Sequence, residues 1–308
     1  MQIKNNFMLQ FFYKVFNRNK YKESINLAKI EKEKILFKNK YENYINLIQE
    51  NLTKKKEISF LHSGHTGDII NILPVLKEIS KTHICKLYIQ LDLPITNYYP
   101  DHPAGQFFSN KKIYNMLLPL LKKQSYLSVV DVFSSQDIDI DFNLIRELPL
   151  NLLFDNNRYG FHVAGVQPDL SKKYLEVEDH PDMKNKITIC RSLRYQNYLI
   201  SYNFLEKFEK SYYIGTYDEY LNLRRELKNL EFYECKNFLD MAMIIKSSKI
   251  HIGNSTLGID IAEGLKSPRL LEASPYFPAR QVHGEKGYDF YFQVHFEKFF
   301  NLLYNTKN

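Results

Sequence analysis

Cysteine is scarce and scattered in this 308-residue chain: Cys85, Cys190 and Cys235 stand far apart, and no Cys-x-x-Cys occurs. That argues against a disulfide framework and a structural zinc site, and it fits buried thiols in a reducing cytosol. Long apolar runs are also missing. Nothing approaches the ~20 residues that cross a bilayer, and the patch at residues 7–16 is short, interrupted by polar residues and followed by no small-residue cleavage site. Neither a membrane span nor a secretory signal is expected, so the protein should stay in the cytoplasm. The Walker A, Gly-x-Gly-x-x-Gly, His-Glu-x-x-His and Gly-x-Ser-x-Gly patterns are absent, which weakens kinase, dehydrogenase, zinc-protease and serine-hydrolase readings. There is no internal repeat and no low-complexity tract.

Net charge is nearly absent from most of the chain. Residues 1–56 hold 13 Lys and Arg against 5 Asp and Glu, whereas residues 57–308 hold 29 against 30. A nucleic-acid binder would carry its basic excess on the folded body, so no nucleic acid is expected. The N-terminal extension is the place to look for an acidic partner. It lacks Gly and Pro, and its apolar residues Met8, Phe11, Phe12, Val15 and Phe16, then Phe37, Tyr41, Tyr44, Ile45 and Ile48, recur at helical spacing. Two amphipathic helices are predicted. The first, flanked by Lys14, Arg18 and Lys20, suits a weak association with an anionic inner-membrane surface through residues 1–18, or burial against the second helix or another subunit.

From residue 57 onward, short apolar runs alternate with helical periods, the pattern of a parallel sheet. Strands are predicted at 58–62, 84–90 and 127–132, with helices at 68–80 and 113–121; Pro74 should kink the first helix or delay its start. After a Pro- and Tyr-rich loop ending near Gln106 and a less patterned stretch, a second series opens at Lys186. Strands are predicted at 186–190, 212–214, 231–233 and 249–252, and helices near 204–209, 218–227, 238–247 and 292–304. His180-Pro181-Asp182 reads as the linker. The expected organisation is a helical extension (1–56) and two α/β domains (57–182 and 183–308).

Residues 249–272 carry the most chemistry. A buried strand leads into Gly253-Asn254-Ser255-Thr256, a tight turn rich in helix-capping residues. A helix with Leu257, Ile261, Ala262 and Leu265 on one face follows, then Pro268 and a strand. Free N–H groups and the positive end of the helix dipole point out of such a turn, so a phosphate is a natural occupant; a capped helix with nothing bound is the plain alternative. A second stretch, Ser63-Gly64-His65-Thr66-Gly67-Asp68, punctuates the first strand–helix junction. A third, Arg191-Ser192-Leu193-Arg194, follows the first strand of the second domain, where ligands of open α/β sheets bind, and a forked cation there suits a diphosphate.

Together these stretches resemble the heptosyltransferase-like family of GT-B glycosyltransferases, as found in surface-polysaccharide and phage gene sets. The family's Asp-Thr-Gly-x-x-His-x-Ala-Ala-x-Leu-Gly-x-Pro element is matched at Thr256, Ala262, Leu265 and Pro268, with Ser255, Leu257 and Asp260 replacing its Asp, Gly and His. Its Gly-Asp-x-x-x-x-x-Pro element is matched from Gly67 to Pro74. The resemblance implies two Rossmann-like domains facing across a cleft, with the last helix crossing back to the first domain. It implies a metal-independent, inverting hexosyl- or heptosyltransferase that takes a nucleotide diphosphate sugar as co-substrate, needs no cofactor and acts on a glycan or lipid-linked acceptor.

In that scheme Asp68 is the general base. Arg191, Arg194, Gly253, Asn254, Ser255 and Thr256 bind the diphosphate, and Glu263, or else Glu272, holds the ribose. His62, His65 and Gly67 line the acceptor side of the cleft. The three replaced family positions support a different class of function, a nucleotide-sugar-binding protein that keeps the fold without the chemistry. Asp137-Ile138-Asp139-Ile140-Asp141 superficially matches an Asp-x-Asp metal motif, but the alternation is that of a strand edge with one wet face, and no metal is expected.

Overall fold

The computed structural model describes residues 7–95, 104–147, 155–277 and 279–306, with the backbone alone for residues 7 and 8. The start of the extension, the Met8 side chain and part of the Pro- and Tyr-rich loop lie outside the described residues. The chain divides into two compact units, Met1–Lys54 and Lys55–Asn308.

The first unit is helical: α1 (Phe7–Phe16), α2 (Arg18–Phe37) and α3 (Asn43–Lys54), with a π-helical turn at Lys38–Glu42 between the last two. Asn17 starts α2 by accepting the Lys20 N–H at 3.1 Å. Periodicity predicts two helices and misses α2, none of whose residues is buried and whose Ile25, Leu27 and Ile30 are exposed. Without an apolar face to bury, a helix leaves no stripe in the sequence.

The second unit contains two parallel sheets. In the first, β1 (Glu57–His62), β2 (Ile84–Ile89), β3 (Leu127–Val132) and β4 (Ile140–Asp141) lie in the order β3-β2-β1-β4. The connecting helices are α4 (Thr66–Ile79) and α5 (Lys111–Lys122), with α6 (Asn156–Ala164) after β4. Pro74 lies inside α4, whose start is not delayed.

The second sheet comprises β5 (Ile187–Cys190), β6 (Ser211–Tyr213), β7 (Leu230–Phe232), β8 (Ile250–Gly253), β9 (Arg269–Glu272) and β10 (Gly287–Phe290), in the order β10-β9-β8-β5-β6-β7. Its helices are α7 (Tyr217–Arg224), α8 (Phe238–Ser247), α9 (Leu257–Leu265) and α10 (Gln293–Asn305). β5, β8 and β9 are buried along their whole length; β5 and β8 read as mostly apolar runs, whereas β9 buries Arg269 and Glu272 at its two ends, each in an ion pair. α10 packs on β8, β9 and β10 of its own sheet, and Phe290 stacks on Phe296 with centroids 4.2 Å apart. The expected return of this helix to the first sheet is corrected: Phe296, Phe300 and Leu303 all enter the core of the second.

The segment joining the sheets is a tied strap rather than a loose linker. Tyr174 and Leu175 donate their N–H groups to the Gly264 carbonyl, Tyr126 donates its hydroxyl to the Tyr174 carbonyl, and Lys246 donates to the Val177 carbonyl. His180, expected to be linker, is buried and donates its N–H to Ser247 Oγ at 2.7 Å. α4 packs on α9 and α5 on α8, so the two sheets belong to one unit.

Candidate functional site

Strand order reverses direction between β1 and β4 in the first sheet and between β5 and β8 in the second. These are the switch points beyond whose carboxyl ends open α/β sheets leave a crevice. The stretch Ser63–Asp68 follows β1, and the turn Gly253–Thr256 follows β8.

On the first side, Asp68 sits in the first turn of α4 and its Oδ2 accepts the His65 N–H at 3.2 Å. The carboxylate thereby satisfies an otherwise free backbone donor, and it stays partly exposed. His62 is fully buried; its Nδ1 accepts the Gly64 N–H at 2.7 Å, and burial above all pushes its pKa down to about 3. His65 meets the Phe108 carbonyl through Nδ1 at 3.0 Å and is also held below the ordinary histidine value, by burial first. Arg146 lies over this turn: its Nη1 donates to Ser63 Oγ and Asn143 Oδ1 at 3.1 and 2.9 Å, and its guanidinium covers the Phe108 ring at 4.2 Å.

On the second side, Asn254 is fully buried and clamps two loops together, accepting the Ser192 N–H at 2.9 Å and donating to the Ser192 carbonyl at 2.7 Å. Thr256 turns its hydroxyl inward, to the Cys190 and Asn254 carbonyls. Gly253 does permit a close approach, but by the backbone: a Cβ there would stand 2.6 Å from the Cys190 carbonyl oxygen. Gly258 is equally constrained, since its Cβ would meet Cys190 Cβ at 2.8 Å and His251 Nε2 at 2.9 Å. Gly258→Ala should lower stability by about 1–3 kcal/mol through overpacking, read as a shift in the urea midpoint at unchanged slope. An unshifted midpoint would show that the contact yields at no cost.

Two expected donor contacts are spent inside the protein. Arg191 is buried and forks onto Glu272, with Nε to Oε2 at 2.6 Å and Nη2 to Oε1 at 2.9 Å; Tyr202 and the Asn197 N–H complete the shell around the same carboxylate. Glu263 is buried too, accepting from Arg269 Nε at 2.5 Å, Lys266 Nζ and the His283 N–H. As they stand, these side chains anchor loops. Arg194 is exposed, and its charge reaches His65.

Between the two sides lies Asp260, at the position where the resembled family has His. Its side chain is buried and ion-paired with Arg280 Nη1 at 2.5 Å. It also abuts α4: a Cβ on Gly67 would stand 2.4 Å from Asp260 Oδ2. Burial, opposed by Arg280 and reinforced by the Asp68 charge, raises its pKa to about 7. Arg280 borders a cavity of about 230 Å³ at the ends of β8 and β9, along with Ser255, Glu272, Ser274, Phe277 and Asp289. The rule that led to Arg191 and Arg194 also covers the loop after β9, and Arg280 is the arginine it would have found there. Arg146 follows a two-residue strand that carries no periodic signal.

Two carboxylates of the Asp137–Asp141 alternation tie the fold together. Asp139 accepts the Ser59 N–H at 2.9 Å and pairs with Lys55, and Asp141 caps the turn after β4 through the Asn143 N–H at 2.8 Å.

Two parallel-sheet Rossmann-like halves joined through α4 and α9 give the chain the GT-B fold. No family model matches its sequence, and no curated protein does. Among solved structures it is similar to the glycosyl transferase family 9 protein of Veillonella parvula DSM 2008, with 10% identity over 82% of this chain and 90% of that one, at a TM-score of 0.53. It is likewise similar to E. coli heptosyltransferase WaaC with ADP, with 10% identity over 80% of this chain and 99% of that one, also at a TM-score of 0.53. At this identity the likeness is one of fold.

Proposed function

We propose that the protein is a metal-independent, inverting glycosyltransferase that moves a sugar from a nucleotide diphosphate sugar onto a glycan or lipid-linked acceptor at the cytoplasmic face of a membrane. The observation that carries this reading is the pairing of switch points: a partly exposed carboxylate, Asp68, beyond one sheet, and an arginine-bordered cavity at the turn–helix junction beyond the other. Asp68 takes the proton of the acceptor hydroxyl as that oxygen attacks the anomeric carbon and the nucleoside diphosphate departs. Arg194, Arg280 and the N-terminal end of α9 offset the charge of the leaving group, with Ser255 at the cavity wall. The cavity is smaller than the roughly 300–1,000 Å³ that buries a whole small ligand, so it suits the diphosphate portion of the donor.

Arg191 and Glu263, tied up internally, favour the second reading, a nucleotide-sugar-binding protein without turnover. Thermal shift across a panel of nucleotide sugars, followed by an assay for nucleoside diphosphate release with acceptor mixtures, separates the two. Release with one donor–acceptor pair supports the transferase; binding across the panel without release supports the binding protein.

The extension supplies the membrane contact in this proposal. Leu9, Phe11, Phe12, Val15 and Phe16 are all exposed, 49–72%, so the helices of the extension leave the stripe open. Lys14, Arg18 and Lys20 flank the stripe, and each basic residue near an anionic surface contributes about 1 kcal/mol that salt screens. The full chain should cosediment with anionic vesicles at low salt, less so at high salt, and a chain beginning at Arg18 should not. Equal pelleting of both removes the membrane role. Among the described residues no helix is long and apolar enough to cross a membrane.

A further inference from the structure

Arg280 is divided between two environments. Its side chain is 9% exposed and borders the cavity, yet its ion-pair partner, Asp260, is buried at the α4–α9 contact. The pair stands at 2.5 Å without hydrogen-bond geometry: Nε and Nη1 of Arg280 and Oδ1 of Asp260 are buried with no hydrogen-bond partner among the described residues. A buried guanidinium with unfilled donors beside a cavity is a strong anion ligand held by a poor substitute. The groups facing Asp260 are unfavourable to its charge apart from Arg280 and the Asn71 dipole. Asp68 reaches it from α4, Glu263 from its own helix, the Tyr174 ring from the strap and Cys190 from the end of β5.

Resting on the reading of the cavity as the diphosphate site, we propose that Arg280 binds the donor's phosphates and that Asp260 is only its resting partner. A diphosphate entering the cavity draws the guanidinium off the carboxylate, which then takes one proton from solvent. The driving force is the replacement of an off-axis pair with a buried Asp by charge-assisted hydrogen bonds to phosphate oxygens. Arg280 is the cation that holds Asp260 toward its ionised form; once it leaves, burial and the Asp68 charge favour the protonated carboxyl. Binding is thus linked to proton uptake, and the linkage has a pH window. With Asp260 at about 7 in the free protein, uptake is near zero at pH 6, where the carboxyl is already protonated, and approaches about one proton at pH 8.

Calorimetric titration of the full chain with ADP, UDP and inorganic pyrophosphate, in buffers of different ionisation enthalpy, counts the protons. Asp260→Asn is the comparison because it keeps the shape and cannot titrate. At pH 8 the wild-type protein should take up about one proton more than Asp260→Asn on binding a probe. The variant should bind roughly tenfold more tightly, since its Arg280 is no longer held. Adding Arg280→Gln to Asp260→Asn leaves no unpaired charge and should lose that affinity by tenfold or more. If the wild-type protein and Asp260→Asn bind a probe with equal proton counts at pH 8, this inference falls and the donor-site reading stands. If neither binds any of the three probes, both fall.

Discussion

Replacing Asp68 by Asn should lower turnover by ~100-fold or more, the scale for losing a general base, while donor affinity stays within a few-fold. The substitution is a clean one because of how the residue is held. Asp68 Oδ2 accepts the His65 N–H at the start of α4, and an Asn oxygen at the same place can accept it too, so the helix start survives. What is lost is the negative charge and the basicity. Steady-state kinetics on the donor–acceptor pair found in the panel, together with a urea titration of both proteins, checks both halves. A full-rate Asp68→Asn enzyme would remove Asp68 from the mechanism and leave it a helix cap.

The second large effect is acid unfolding. His62 and His251 are fully buried, and burial drives each pKa down to about 3 from an ordinary 6.5. The neutral forms are built into the structure: His62 Nδ1 accepts the Gly64 N–H, and His251 Nδ1 meets Thr188 Oγ1 at 3.0 Å. Because the folded-state values are depressed, the stability they permit is complete above pH 6.5 and is lost as pH falls toward 3, at about 5 kcal/mol per histidine.

Asp260 works in the opposite sense. Its value is raised to about 7 from 3.8, so the folded state gains stability as pH falls through that window, by about 4 kcal/mol at most. The aspartate's gain comes first on acidification, so the two histidines outweigh it only gradually. The net loss is about 1–3 kcal/mol by pH 5 to 4 and about 5 kcal/mol near pH 3, enough to unfold a domain at the low end of the usual 5–15 kcal/mol. Near pH 5, His251→Asn should reduce the slope of unfolding free energy against pH by about 1.4 kcal/mol per unit, one proton fewer taken up on unfolding. Ring proton shifts followed by NMR provide the direct check. If either histidine titrated near 6.5 in the native protein, the burial argument would be wrong.

Much of the fold is legible along the chain, and the reason is the parallel sheet. Strands such as β1 and β8, covered on both faces, must be nearly continuous apolar runs, and the helices between them must carry one apolar stripe. α8 begins and ends where the spacing of Phe238, Met241, Ala242 and Ile245 puts it. Elements without such a constraint escape. α2 buries nothing, β4 is two residues long, and β10 lies at the edge of its sheet with only Phe290 buried. The segment around His180 looks like a linker because its ties run through backbone groups and one imidazole, which leave no periodic mark.

The sequence by itself determined the alternation of strands and helices, the two strand–turn–helix junctions at Asp68 and Gly253, and the basic, aromatic extension. These depend on neighbours a few residues apart, through turn chemistry, caps and periodicity. Only the tertiary structure decided which charged side chains remain available at the crevice. Arg191 and Arg194 stand three positions apart in one loop, but Arg191 is buried and locked onto Glu272, 81 residues along the chain, while Arg194 is exposed. Glu263 is likewise fixed by Arg269 and the loop at His283. Asp260 and Arg280 form a pair only where α9, α4 and the loop after β9 come together. Burial and long-range pairing set the free energy of a charge, and neither is a property of the residues beside it in the chain.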